Sequence, residues 1–154
     1  EDGELQVRGS MLFPGYFDNS SANAAAFTED GWFHSGDLAS RDEDGNIAIT
    51  GRIKDIINRG GVKYNPREIE DLLDNHPYIT QSAIVPMTDE VLGERACCFA
   101  VAENSDVILS ELCEYLLGHG IAKTKLPERL VLVDEMPMTP TRKIIKGRLA
   151  IPPT

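Results

Sequence analysis

At Gly51 the apolar residues of this chain change their spacing, and the pattern that follows limits the fold more than any other feature. Strand-like runs then alternate with runs whose apolar residues recur at three and four positions, so strands and helices take turns. The pattern predicts a strand over residues 53–58, a turn at Arg59-Gly60-Gly61 and a helix over residues 66–75. The helix start is well signed, with Asn65 as N-cap, Pro66 at the first helical position and Glu68 placed for a capping box. Its apolar stripe is Ile69, Leu72 and Leu73. Strands over 82–87 and 97–102 flank a turn near Leu92-Gly93. A second helix over 109–117 turns Leu112, Leu116 and Leu117 inward and ends at Gly118 or Gly120. A strand over 129–133 and a polar tail rich in proline and threonine complete the series. The expected class is α/β (α+β): a small mixed sheet with two helices on one face.

Before Gly51 the pieces are short. Leu5-Gln6-Val7 reads as a strand, Pro14-Gly15 as a turn, and residues 19–27 as an alanine-rich helix capped by Asn19 or Ser20. Asp44-Gly45-Asn46 turns the chain into a strand over 47–50, a hairpin with Trp32-Phe33 on the incoming side. These elements hold too few apolar residues to bury one another, so they are expected to lean on something else.

A chain of 154 residues with 42% hydrophobic and 26% charged residues is long enough for one good core and has an ordinary globular balance. No apolar run approaches a membrane span. Glu1-Asp2-Gly3-Glu4 lacks the basic-then-apolar pattern of a secretory signal, and an internal cut of a longer chain would begin this way. The three cysteines, Cys97, Cys98 and Cys113, are odd in number, and two neighbours in one strand cannot easily bridge. A reducing cytoplasm is the expected location. A net charge of −10 argues against nonspecific nucleic-acid binding, although Arg142, Lys143, Lys146 and Arg148 crowd one short stretch.

Three clusters are read as loops beside strands, where function concentrates. In His34-Ser35-Gly36-Asp37 the carboxylate of Asp37 would accept two hydrogen bonds from a diol, or serve an Asx turn or helix cap. Gly51-Arg52-Ile53-Lys54-Asp55 leads to Arg59-Gly60-Gly61-Val62-Lys63, where the paired glycine also fits a plain turn. In residues 136–143 prolines hold the backbone extended and Lys143 would present an ammonium to a phosphate; a flexible tail fits as well. There is no Cys-x-x-Cys, His-x-x-x-His or G-x-S-x-G pattern, and no metal site is expected. His76 and His119 read as helix-end residues rather than ligands.

In order and spacing these clusters resemble the adenylate-forming superfamily of acyl-CoA synthetases, aryl-acid AMP ligases, luciferases and adenylation domains. GWFHSGDLA at 31–39 looks like its aromatic-x-[ST]-G-D motif, ITGRIKDIINRGGVKYNPREIE at 49–70 like its hinge motif, and MPMTPTRKIIKGRL at 136–149 like its C-terminal lysine motif. LGER at 92–95 and AKTKLPERL at 122–130 also resemble the acyl-CoA and aryl-acid branches, and the likeness covers about residues 3–150. It implies that residues 1–50 are the β-rich tail of a large ATP- and acyl-binding domain, 51–54 a hinge and 55–150 a mobile lid domain. Asp37 would bind ribose hydroxyls and Arg52 the ribose or phosphate; Lys54 would be the hinge, Gly60 and Gly61 would line the pantetheine passage, and Lys143 would be catalytic. The implied chemistry joins a carboxylic acid to CoA through an acyl-adenylate, using ATP and Mg²⁺.

Two departures qualify the likeness. Arg142 stands where the family usually has glycine before its lysine; if the position needs a positive φ, arginine is strained there. The family's phosphate loop and acyl pocket are not in this sequence, so the chain alone is not expected to activate acids. The alternatives are an AMP ligase that loads a carrier protein and a noncatalytic lid acting in trans. Unpaired strand edges before residue 50 would also suit a dimer.

Overall fold

The computed structural model describes residues 3–103 and 106–153, so Glu1 and Asp2 of the segment read for a leader lie outside it. By internal contacts the chain forms two units, Glu1–Lys54 and Asp55–Thr154.

In the first unit β1 (Gly3–Val7), β2 (Phe33–Arg41) and β3 (Ile47–Arg52) form an antiparallel sheet in that order, with α1 (Ser20–Ala26) between β1 and β2. The local signals act as read: Asn19 Oδ1 accepts the Ala22 N–H at 3.0 Å, a cap worth about 1 kcal/mol. Asp42 Oδ1 takes the Asn46 N–H at 2.8 Å in the β2–β3 turn, and Gly45 supplies the left-handed residue at φ +88. Phe13 packs edge-on against Tyr16 and Phe33, with ring centroids 5.3 and 5.2 Å away. None of this makes a core. The first buried residue along the described chain is Ile57, and Met11, Phe17, Ile47 and Ile49 of the first unit are exposed.

The second unit is built on β4 (Ile57–Arg59), β5 (Val62–Tyr64), α2 (Arg67–Leu73), β6 (Ile79–Asp89), β7 (Gly93–Ala102), α3 (Leu109–Gly118) and β8 (Arg129–Leu132). The sheet runs β5-β4-β7-β6, with β8 also paired to β7. The β7–β8 pairing is parallel and the others antiparallel, so the sheet is mixed as expected.

Alternation along β7 sorts its side chains between two cores. Ala96, Cys98 and Ala100 face Ile69 and Leu73 of α2 and Leu112 and Leu116 of α3. Cys97 and Phe99 face the other way, onto Ala83, Val85 and Met136. The adjacent cysteines therefore belong to opposite faces, both as free thiols, and burial raises the pKa of each. Gly120, at φ +88, closes α3: its N–H meets Leu117 O and the Ile121 N–H meets Leu116 O, a Schellman stop.

Several expectations are corrected. Residues 53–58 are not one strand but a 3-10 turn, Ile53–Asp55, followed by the short β4, because Ile53 stays exposed whereas Ile57 is fully buried. The strand β5 was not foreseen; its alternating Val62 and Tyr64 are too few to signal by themselves. Leu117 is 39% exposed, since it lies about 100° round the helix from Leu116. The tail is not merely polar: Met138, Ile144, Leu149 and Ile151 pack with Met136 over the second face of the sheet.

Candidate functional site

Asp37 lies within β2, not in a loop, and a bulge aims it. Pairing to β1 shifts between Glu4↔Leu38 and Gln6↔His34, leaving extra residues on β2, and Gly36 takes φ +71 inside them. Ser35 Oγ donates to Leu5 O at 2.6 Å and accepts the Asp37 N–H at 3.0 Å, while Glu4 holds His34 Nδ1 at 2.7 Å and the Gly36 N–H at 3.2 Å. Serine, not aspartate, thus makes the local turn. Asp37 is the register partner of Arg52 on β3, and Arg52 Nε donates to Asp37 Oδ1 at 2.7 Å. With side chains 49% and 31% exposed, this pair adds little stability, about 0–1 kcal/mol. Its effect is to hold a carboxylate and a guanidinium in one orientation.

Lys54 is exposed in the 3-10 turn at the last position of the first unit. Gly60 and Gly61 are the two central residues of the β4–β5 hairpin, at φ +57 and +89, as a type I′ turn demands. A Cβ on Gly60 would come to 3.1 Å from Leu92 Cδ2, whereas none would be met at Gly61 within 4 Å. Turn geometry alone accounts for both glycines.

The hairpin is braced by residues whose role sequence reading missed. The Gly60 N–H donates to Leu92 O at 2.8 Å, the Asn58 N–H to Glu94 Oε2 at 2.7 Å and the Gly61 N–H to Asn58 Oδ1 at 3.1 Å. Glu128 joins Arg59 Nε, at 2.7 Å, to Arg95 Nη1, at 2.6 Å, and Arg95 Nε lies 2.6 Å from Asp89 Oδ2. Lys125 meanwhile spans both oxygens of Glu68 on α2 at 2.8 and 3.0 Å. LGER and AKTKLPERL supplied Glu94, Arg95, Lys125 and Glu128, so their charged residues were visible as phrases but not as partners.

Lys143 sits at the tip of a tight tail hairpin. Thr139 N–H donates to Lys143 O at 2.8 Å, Arg142 N–H to Thr139 O at 2.9 Å, Ile145 N–H to Pro137 O at 2.7 Å and Lys143 N–H to Thr139 Oγ1 at 3.0 Å. Met138 and Ile144 form a bridge across the hairpin and both pack inward, which leaves the residue between Arg142 and Ile144 facing out. Lys143 is exposed and, among the described residues, its ammonium has no ion-pair partner. Arg142 adopts φ +60, so the strain anticipated for arginine here is present, at about 1–2 kcal/mol.

The structure brings Asp37 and Arg52 together and sets Gly60-Gly61 and Lys143 on separate hairpins of the second unit. His76 and His119, distant in sequence, both pack on Tyr115, with ring centroids at 4.6 and 4.2 Å. Among the described residues no group of three His, Cys, Asp or Glu could hold a metal ion. Nor is any helix long and apolar enough to cross a membrane.

Residues 68–143 match the AMP-binding enzyme C-terminal domain. The chain is 44% identical over 147 residues to the medium-chain fatty-acid–CoA ligase of Escherichia coli (strain K12), covering 94% of this chain and 26% of that one. It is 40% identical over 149 residues to the 2,3-dihydroxybenzoate-AMP ligase of Bacillus subtilis (strain 168), covering 97% of this chain and 28% of that one. Among solved structures, ATP-bound MatB from Rhodopseudomonas palustris superposes with a TM-score of 0.89 at 30% identity, over 96% of this chain and 29% of that one. The chain thus spans about a quarter of the length of the curated relatives it matches. It belongs to the adenylate-forming enzymes and carries their AMP-binding C-terminal domain.

Proposed function

We propose that this chain is the C-terminal part of an ATP-dependent acid–CoA ligase. Its residues 1–50 end the large ATP- and acyl-binding domain, 51–54 form the hinge and 55–150 form the lid. The observation that carries the reading is Lys143, an exposed ammonium without an ion-pair partner among the described residues, held in a tight hairpin on a domain of this family.

In the first half-reaction an oxygen of the acid attacks the α-phosphorus of ATP; the bond to the β-phosphate oxygen breaks, giving acyl-AMP and pyrophosphate. Lys143 offsets charge where two anions meet, and one such preorganised contact is worth about 3–4 kcal/mol in the transition state. Asp37 accepts hydrogen bonds from the ribose hydroxyls, and Arg52, already paired to it, contacts the ribose or phosphate. In the second half-reaction the CoA sulfur loses its proton and attacks the acyl carbon, and AMP departs with the former carboxylate oxygen. Rotation about Lys54 exchanges Lys143 for the Gly60-Gly61 hairpin between the two steps. In this reading Gly60 and Gly61 line the path of the pantetheine arm.

The second reading, an AMP ligase that loads a carrier protein, is favoured by the likeness to the 2,3-dihydroxybenzoate-AMP ligase. The three free thiols, each with its pKa raised by burial, suit a reducing cytoplasm.

The test is acid-dependent pyrophosphate exchange by the full-length enzyme beside its Lys143→Ala variant, followed by transfer to CoA or to a carrier protein. Exchange that drops by roughly a hundredfold or more in the variant, with CoA as acceptor, is the expected result. Equal exchange in both proteins would remove Lys143 from the mechanism.

A further inference from the structure

β6 is the outer strand of its sheet, and its free edge is managed residue by residue. The Ser82 N–H donates to Asp74 Oδ1 at 3.0 Å, the Ile84 N–H donates to Glu70 Oε1 at 2.6 Å, and Pro86 has no N–H to offer. The same oxygen of Glu70 lies 2.7 Å from Lys146 Nζ, with side chains 12% and 24% exposed. Among the described residues this is the only ion pair joining residues 134–153 to the rest of the second unit. Lys146 follows Lys143 by three positions, so their Cα atoms are at most about 11 Å apart. The anchor cannot move far without taking the hairpin along.

Stability alone is a poor account of this pair. A largely buried ion pair roughly breaks even against an apolar replacement, because desolvation offsets attraction. The rest of the tail is held by Met138, Ile144, Leu149 and Ile151 against Met87, Val85 and Phe99, a nondirectional and methionine-rich contact that tolerates sliding. Directional contacts to a single carboxylate fix what such packing leaves free. We infer that the Glu70–Lys146 pair positions Lys143 for adenylation, acting through the hairpin without touching substrate. This inference rests on the reading of Lys143 as the adenylation lysine.

The full-length enzyme is compared with Lys146→Met, Lys146→Arg, Glu70→Gln and Lys143→Ala. One readout is acid-dependent pyrophosphate exchange; the other is AMP release when CoA is added to separately prepared acyl-adenylate. In Lys146→Met and Glu70→Gln the exchange rate falls roughly ten- to a hundredfold while AMP release changes by less than about twofold, and Lys146→Arg recovers most of the exchange. Glu70→Gln keeps an acceptor for the Ile84 N–H, so it serves if Lys146→Met folds poorly. A parallel fall in both readouts, as loss of the domain's structure would give, overturns the inference, as does unchanged exchange. Undiminished exchange in Lys143→Ala overturns the underlying reading, and the inference with it.

Discussion

The two units of this chain use the same local grammar to different ends. Residues 3–54 contain three strands, a capped helix and an edge-packed aromatic group, yet bury no residue. Residues 55–153 use elements of similar average length but stack them so that β7 alone feeds two cores. The lesson is that capping and turn chemistry suffice to shape elements, whereas a self-supporting fold needs faces that meet. A family member in which the first stretch belongs to a larger domain would show this contrast.

The largest test of the contrast compares truncations in the two regions. Leu116→Ala empties a fully buried position between α3 and the sheet and is expected to cost about 2–5 kcal/mol in urea unfolding of the isolated chain, whereas Ile49→Ala should stay within about 0.5 kcal/mol. A large cost for Ile49→Ala would break the comparison. Next in size is the polar brace around the Gly60-Gly61 hairpin. Glu128→Gln keeps the shape but takes the charge from two arginines, and a loss of about 1–3 kcal/mol by the same measurement is expected. No loss would mean that the hairpin is held without the Glu128 ion pairs.

The smallest effect concerns Tyr64, which is buried with its hydroxyl unpartnered among the described residues. Burial chiefly, with Glu128, Glu68 and Glu94 nearby, pushes its pKa from 10.0 up to about 12, against a lowering by Arg59. A raised folded-state pKa means that its contribution to stability is full below pH 10 and is lost as pH climbs toward 12. Because the buried hydroxyl has no partner among the described residues, Tyr64→Phe should gain about 1 kcal/mol near neutrality, and it should lack this alkaline component in a pH series of unfolding curves. A variant that loses stability would show that the hydroxyl has a partner.

Legibility in the sequence followed range. The Asn19 cap, the Gly45 turn, the Gly120 stop and the α2 stripe were readable because each is decided within a few residues. The mixed sheet with two helices on one face was readable from the order of elements. The position of Asp37 in a strand was not, because the bulge that aims it depends on pairing with β1, thirty residues away. Nor was the brace: Arg59 and Glu128 are 69 positions apart, and no periodicity links them. The tail misled because its prolines and threonines dominate its composition, while Met136, Met138 and Ile144 decide where it goes. For the candidate site, motif order pointed to Asp37, Arg52 and Lys143, but only the folded chain discloses that Arg52 holds Asp37 and that Arg142 takes φ +60.

The claim that only the second unit carries its own core is tested most directly by amide hydrogen exchange on the 154-residue chain. The slowest amides are expected in β6, β7 and α3, with residues 3–54 exchanging far faster throughout. Amides in β2 and β3 as slow as those of β7 would contradict it.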